Sequence, residues 1–208
     1  MSVGSSCNSC IEKHPWRAAI SRFNLDGSGA EIFAKELRNS VRIEFSPYSG
    51  HFCGRSIMDV ICGDDHPKEE LNIIQQGKHY GWPYCYESKI FDCSKTEAPA
   101  YTFTAHMAPL GLTFYREGRL PKVYEDSVFI AFHGSWNRSI PAGYKVARLK
   151  LNKRGDIISH SDFITGWLGN DGLAIGRSVD IEQSPEGDLY LSDDFLGMIY
   201  KVSSLQSN

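Results

Sequence analysis

Short apolar runs separated by Gly, Pro, Asn and Asp turns recur along the whole chain, and long amphipathic stretches at helical spacing are scarce. That pattern predicts strands. Arg17 to Phe23 reads as one strand, closed by the turn Asn24-Leu25-Asp26-Gly27, and a second begins near Val41 and stops at Ser46-Pro47. Leu110 to Tyr115 and the aromatic run Ser127 to Phe132 read the same way. Glu31 to Leu37 is the best candidate for a helical turn, although a strand and loop fit it equally. In Arg148 to Arg154 basic residues alternate with Leu149 and Leu151, as an exposed strand would.

One unit is written twice. Arg38-Asn39-Ser40-Val41-Arg42-Ile43-Glu44-Phe45-Ser46-Pro47 recurs as Gly176-Arg177-Ser178-Val179-Asp180-Ile181-Glu182-Gln183-Ser184-Pro185, each copy followed by a further strand. The strand and turn at Ile20 to Gly27 have a counterpart at Val146 to Gly155. Starts near 41, 111 and 179 are spaced by 70 and 68 residues. Repeated groups of short strands predict an all-β chain of the β-propeller type, whose blades take about 40 to 50 residues. The excess is loop, and loops gathered on one face of a propeller carry its binding site. Residues 1–208 are therefore expected to form a partial propeller of about three to four blades, with 1–40 ending a preceding blade. Closing a ring then needs further residues or self-association.

Composition narrows the function classes. With 208 residues and 41% hydrophobic positions the chain can build a core, and a net charge of -3 with mixed signs argues against a nucleic-acid surface. No apolar run reaches the roughly eighteen residues of a membrane span, and no signal-peptide pattern opens the sequence. Six cysteines speak about compartment. Cys7-Asn8-Ser9-Cys10 lacks the βαβ surroundings of a redox motif, and Cys85 with Cys93 is too widely spaced for a zinc knuckle. Two local disulfides, Cys7 to Cys10 and Cys85 to Cys93, are the more economical reading, with Cys53 and Cys62 able to form a third. They imply an oxidising compartment, periplasmic or secreted.

Gly63 to Cys85 is the densest candidate chemistry. Asp64, Asp65, Glu69 and Glu70 put four carboxylates within seven residues, beside the rigid turn Tyr80-Gly81-Trp82-Pro83. Such a run is either a solvated acidic turn or a holder of a hard cation such as calcium. His14, His51, His66, His79, His133 and His160 lack metal-ligand spacing and read as surface or loop histidines, and Trp136 reads as a packed interblade residue.

GDDHPKEELN followed by HYGWPYCYE resembles the sorbosone dehydrogenase branch of the soluble sugar dehydrogenases that depend on pyrroloquinoline quinone (PQQ). SVGSSCNSC, Leu37 to Asn39, HMAPLG, FHGSWNR and SPEGDLYLSDD keep the family's order over nearly the whole chain. The resemblance implies a six-bladed propeller that oxidises aldoses with PQQ and calcium. It makes Arg38 and Asn39 the pair facing the quinone carbonyls, with Arg38 stabilising charge as the cofactor is reduced. It places Arg177 at the cofactor carboxylates, with Asn137 or Arg138 near a cofactor-contacting lysine, and Tyr101 and His106 along the cofactor plane. Glu70 and the backbone carbonyl of Tyr80 match a structural calcium site. Arg38 and Arg177 could instead pin blade edges, and His106 could satisfy a loop carbonyl.

Two departures stand against that pattern. The family's general-base histidine lies upstream of the segment resembling SVGSSCN, where this sequence starts. The loop expected to offer carbonyls to a catalytic calcium reads Arg55-Ser56-Ile57-Met58-Asp59, with an arginine in place of an acid and no glycine. Three functions follow as expectations: a PQQ-dependent aldose or sorbosone-type dehydrogenase with a sugar substrate and an unidentified electron acceptor, a cofactor-free propeller fragment acting as an interaction module, and a calcium-dependent lactonase-like propeller.

Overall fold

The computed structural model describes residues 1–48, 63–85 and 92–204, together with the backbone of 52–56. The Cys53 to Cys62 pairing and the side chains of the Arg55 to Asp59 loop lie outside the described residues. Two compact units divide the chain, one built from Met1–Phe45 with His51–His106, the other from Ser46–Gly50 with Met107–Asn208.

The first unit holds two four-stranded sheets. One runs in the order β1 (Ser2–Val3), β2 (Ala19–Arg22), β3 (Glu31–Lys35) and β7 (Lys78–His79); the other runs β4 (Ser40–Phe45), β5 (Phe52–Ser56), β6 (Glu69–Ile74) and β8 (Tyr101–Phe103). Apart from the parallel pairing of β3 with β7, every ladder is antiparallel. Glu31–Lys35 is thus a strand and no helical turn. Its ladder partners lie on both sides, and burial of Phe33 and Ala34 in the cluster with Ile20, Leu37, Ile74 and Tyr80 outweighs local propensity.

The second unit holds the four-stranded sheet β12 (Ile157–Ile164), β11 (Lys145–Leu151), β10 (Ser127–Phe132), β9 (Pro109–Tyr115), and the three-stranded sheet β13 (Ser178–Gln183), β14 (Leu189–Asp193), β15 (Met198–Val202). A single 3-10 turn, Lys122–Tyr124, is the one helical element among the described residues. Antiparallel meanders of neighbouring strands are the form a propeller blade takes. Every residue of β10 is buried, and Phe129 and Ala131 join Tyr115, Val146, Ile181 and Leu191 in the core.

Arg148 corrects the exposed reading of its strand. β11 lies between β10 and β12, and Arg148 is buried, donating from Nε to Ser127 Oγ at 2.8 Å and from Nη2 to the Val123 carbonyl, with its guanidinium over the Tyr124 ring. Its alternation with leucines came from two covered faces of an interior strand.

The repeated sequence folds into repeated geometry. In β4 the pairing steps from Ser40↔Ser56 to Ile43↔Gly54, and in β13 from Ser178↔Asp193 to Ile181↔Leu191. Both strands carry one extra residue at the same place, a bulge that turns the strand's first residues away from the ladder. Arg38-Asn39 and Gly176-Arg177 stand at those re-aimed ends.

Candidate functional site

In the first unit, Arg38 sits in the short link between β3 and β4 at a left-handed φ of 49°, with 7% of its surface exposed. Its backbone carbonyl accepts from Ser5 N at 2.7 Å. Its guanidinium reaches Asn8, donating from Nη2 to Oδ1 at 2.9 Å and from Nε to the carbonyl oxygen at 3.4 Å. Asn39 lies against Gly4, where a Cβ would stand 2.7 Å from Asn39 Oδ1. A side chain at residue 4 would displace the Asn39 amide.

His106 ends the same unit, buried and at a φ of 62°. Its Nε2 lies 3.0 Å from both the Gly63 and His66 carbonyls. Carbonyls only accept, so Nε2 carries the hydrogen and Nδ1 presents a lone pair. That Nδ1 is buried without a hydrogen-bond partner, an acceptor suited to a ligand N–H or O–H. Satisfying loop carbonyls accounts for one ring nitrogen and leaves the other. Tyr101, on β8, stacks at a tilt with Phe103, their centroids 5.0 Å apart.

The acidic stretch divides by exposure. Glu69 is fully buried, Asp65 is exposed, and Glu70 accepts at Oε2 from Asn72 Nδ2 at 3.1 Å. Tyr80 is buried, and its hydroxyl donates to the Ile73 carbonyl at 2.7 Å while accepting from Gln75 N at 2.9 Å; burial raises its pKa. The phenol end is consumed by the fold, so the backbone oxygen is the ligand Tyr80 has to offer. His79 pairs with Glu36, which removes it from the plain surface histidines. Among the described residues, the one trio of His, Cys, Asp or Glu ligand atoms within 4.8 Å of each other is Cys7, Cys10 and Glu12. Cys7 and Cys10 are joined as a disulfide, as are Cys85 and Cys93, so the trio offers no thiolate.

In the second unit Arg177 directly precedes β13. Its Nη1 lies 3.3 Å from His133 Nδ1 and 3.2 Å from the Gly134 carbonyl, its Nη2 donates to Tyr144 Oη at 3.3 Å, and its guanidinium carbon stands 4.9 Å from the Tyr144 ring centroid. His133 Nε2 in turn lies 3.0 Å from Asp194 Oδ1. The backbone N–H of Arg177 donates to Asp193 Oδ1, which also accepts from Leu196 N, so the buried Asp193 fastens the start of β13 to the β14–β15 turn. Gly134, at a φ of 99°, is required here, because a Cβ would meet the Tyr144 ring at 2.5 Å.

Asn137 has both side-chain amide atoms buried without a hydrogen-bond partner, while Arg138 Nε donates to the Ile140 carbonyl at 3.1 Å. Arg138 therefore spends part of its fork on its own loop. His133, Tyr144 and Asp194 were missed at the level of sequence. The histidine inside FHGSWNR is the residue that meets Arg177, and the last carboxylate of SPEGDLYLSDD is the Asp194 that the same ring faces. Trp136, in the same loop, is 71% exposed and packs in no core.

A fixed guanidinium set over an aromatic face is a receptor for a carboxylate. A family model described as TrAA12-like matches residues 89–204, more than half of the chain. The chain belongs to the TrAA12-like family. An uncharacterized protein of Borreliella burgdorferi is 36% identical over 97% of this chain and 56% of its own length. The aldose sugar dehydrogenase YliI of Escherichia coli is 25% identical over 85% of this chain and 45% of its own. This TrAA12-like chain thus spans about half the length of those relatives. Among solved structures, the holo form of the pyranose dehydrogenase PQQ domain from Coprinopsis cinerea superposes with a TM-score of 0.77 at 21% identity, covering 98% of this chain and 66% of that one. That likeness carries the fold, an all-β propeller.

Proposed function

We propose that this chain is part of a PQQ-dependent oxidoreductase acting on an aldose or sorbosone-type sugar. The observation that carries the reading is Arg177. Among the described residues every partner of its guanidinium is neutral, the His133 ring nitrogen, two carbonyls and the Tyr144 hydroxyl, so its charge is held in place and not neutralised there. A tricarboxylate cofactor fits such a donor, and the buried, unpartnered amide of Asn137 in the same unit offers the same chemistry.

In the first unit Arg38 and Asn39 would face the oxygens that gain charge on reduction. A guanidinium fixed beforehand stabilises that charge more than the neutral starting state. When bound, PQQ supplies the two-electron acceptor for the sugar. Tyr101 would offer an aromatic edge to the cofactor plane and His106 Nδ1 an acceptor, while Asn137, Arg138 and Arg177 would hold carboxylates. Glu70 and the Tyr80 carbonyl would bind calcium. By the resemblance, none of the residues named here is the base that takes the sugar hydroxyl proton, and turnover is a proposal about the whole protein. The two disulfides support an exported location, periplasmic or secreted. No helix among the described residues is long and apolar enough to cross a membrane.

Titration of the purified chain with PQQ, in calcium and in EDTA, tests the reading through quinone absorbance and melting temperature. Saturable binding that weakens in EDTA and in Arg177→Ala is expected. No binding at near-millimolar PQQ by a folded chain overturns it.

A further inference from the structure

The Cys7–Cys10 loop grips Arg38, one of the two residues proposed to face the quinone. Asn8, inside the disulfide ring, takes two N–H groups of Arg38, one on its side-chain oxygen and one on its backbone oxygen. The same backbone oxygen accepts from Trp82 Nε1 at 3.3 Å. Trp82 is buried and packs with Ala18 against both cysteines, which anchors the ring from below. From outside, Glu12 closes the loop by accepting from Ser6 N and, at 2.9 Å, from Ser6 Oγ, while Ser5 Oγ donates to the Cys7 carbonyl. Gly4 of the same segment lies against the Asn39 amide, and Ser5 N holds the Arg38 carbonyl.

A long, rotamer-rich arginine gains a single direction only when fixed acceptors restrain its head. Asn8 supplies an acceptor pair on the side of a loop that a covalent bond prevents from opening. Its own exposure shows that this asparagine is not there to fill a core. We propose that Asn8 is a positioning residue for Arg38, and that the Cys7–Cys10 bond keeps Asn8 in register with it. The proposal rests on the reading of Arg38 as a cofactor-facing group. It differs from that reading in assigning the aim of the guanidinium to a second, exposed residue.

The test uses the full chain with four variants, Asn8→Ala, Asn8→Asp, Arg38→Ala and the double Cys7→Ser, Cys10→Ser. PQQ affinity is read by fluorescence quenching, and in the cofactor-free protein the Arg38 guanidinium N–H signals are read by NMR. Asn8→Ala is expected to keep the melting temperature, to speed exchange of those N–H groups about tenfold and to weaken PQQ binding by a similar factor. Asn8→Asp keeps both acceptors and should restore the slow exchange. The cysteine double variant should behave as Asn8→Ala does. Unchanged Arg38 signals together with unchanged PQQ affinity in Asn8→Ala would overturn the positioning role. Should Asn8→Ala free the guanidinium while Arg38→Ala binds PQQ as the parent does, the positioning stands and the cofactor role of Arg38 falls.

Discussion

Arg177 Nη1 donates toward Nδ1 of His133 at 3.3 Å, which fixes the tautomer of that ring: the hydrogen sits on Nε2 and points to Asp194 Oδ1, 3.0 Å away. Arginine, imidazole and carboxylate form a chain in which the imidazole separates the two charges. Among the described residues Arg177 is thereby steered without a carboxylate partner, a state suited to receiving an anion from outside.

Arg177→Lys keeps the charge but loses the planar fork that touches His133, Gly134 and Tyr144 together. PQQ affinity is expected to fall by about tenfold to a hundredfold, read by titration. His133→Phe removes the acceptor for Nη1 and should weaken binding by a smaller factor. An unaltered affinity in Arg177→Lys would mean that the fork does not meet the cofactor.

The repeat yields a contrast at one structural position. Ser178 is fully buried, and its Oγ lies 3.1 Å from the Phe132 carbonyl and 3.3 Å from that of Lys145. Ser40, its counterpart in β4, is buried with an Oγ that has no partner. Ser178→Ala is expected to cost about 1–2 kcal/mol, whereas Ser40→Ala should be neutral or slightly stabilising, because only the first loses a bond. Urea denaturation of the two variants decides between them.

Much of this was legible in the chain itself. Strand character, the doubled unit and both described disulfides follow from turn residues, apolar spacing and cysteine separation, which are local signals. Arg148 is buried and Trp136 exposed, the reverse of what their sequence surroundings predict, because burial depends on neighbouring strands and loops. An arginine beside leucines looks exposed until a strand covers each side, and a tryptophan looks buried until its loop is seen to project it. His133 carries no spacing signal, since its partners Arg177 and Asp194 are 44 and 61 residues distant.

Gly111 carries the close approach of β9 to β13. A Cβ there would stand 2.3 Å from Asp180 Oδ1 and 2.8 Å from the Val179 carbonyl. The Asp180 Cα at 2.5 Å and the Val179 carbonyl are backbone and leave little to relax, so Gly111→Ala is expected to destabilise the second unit by about 1–3 kcal/mol. Thermal unfolding measures the cost. A variant as stable as its parent would mean that the two strands part without penalty.

Asp126 contributes to the acid limb of stability. Its Oδ2 lies 2.5 Å from Lys153 Nζ and its Oδ1 accepts from the Tyr48 hydroxyl at 2.6 Å, and these two, the lysine first, hold its carboxyl below the usual carboxylate range. Burial beside the same carboxylate pushes the Tyr48 phenol up, so the hydroxyl stays a donor through neutral pH. A carboxyl depressed in the folded state binds protons more weakly there than in the unfolded chain. Its stabilisation is therefore present above the unfolded value of about 3.9 and is lost as pH falls through the lower folded value. Lys153 is exposed, so screening by water limits the pair to roughly 0.5 kcal/mol. Asp126→Asn should lower the melting temperature at pH 7 and converge with the parent at low pH, and Tyr48→Phe should do the same in part. Parallel curves for parent and Asp126→Asn from pH 7 down to about pH 2 would assign the acid sensitivity to other carboxylates.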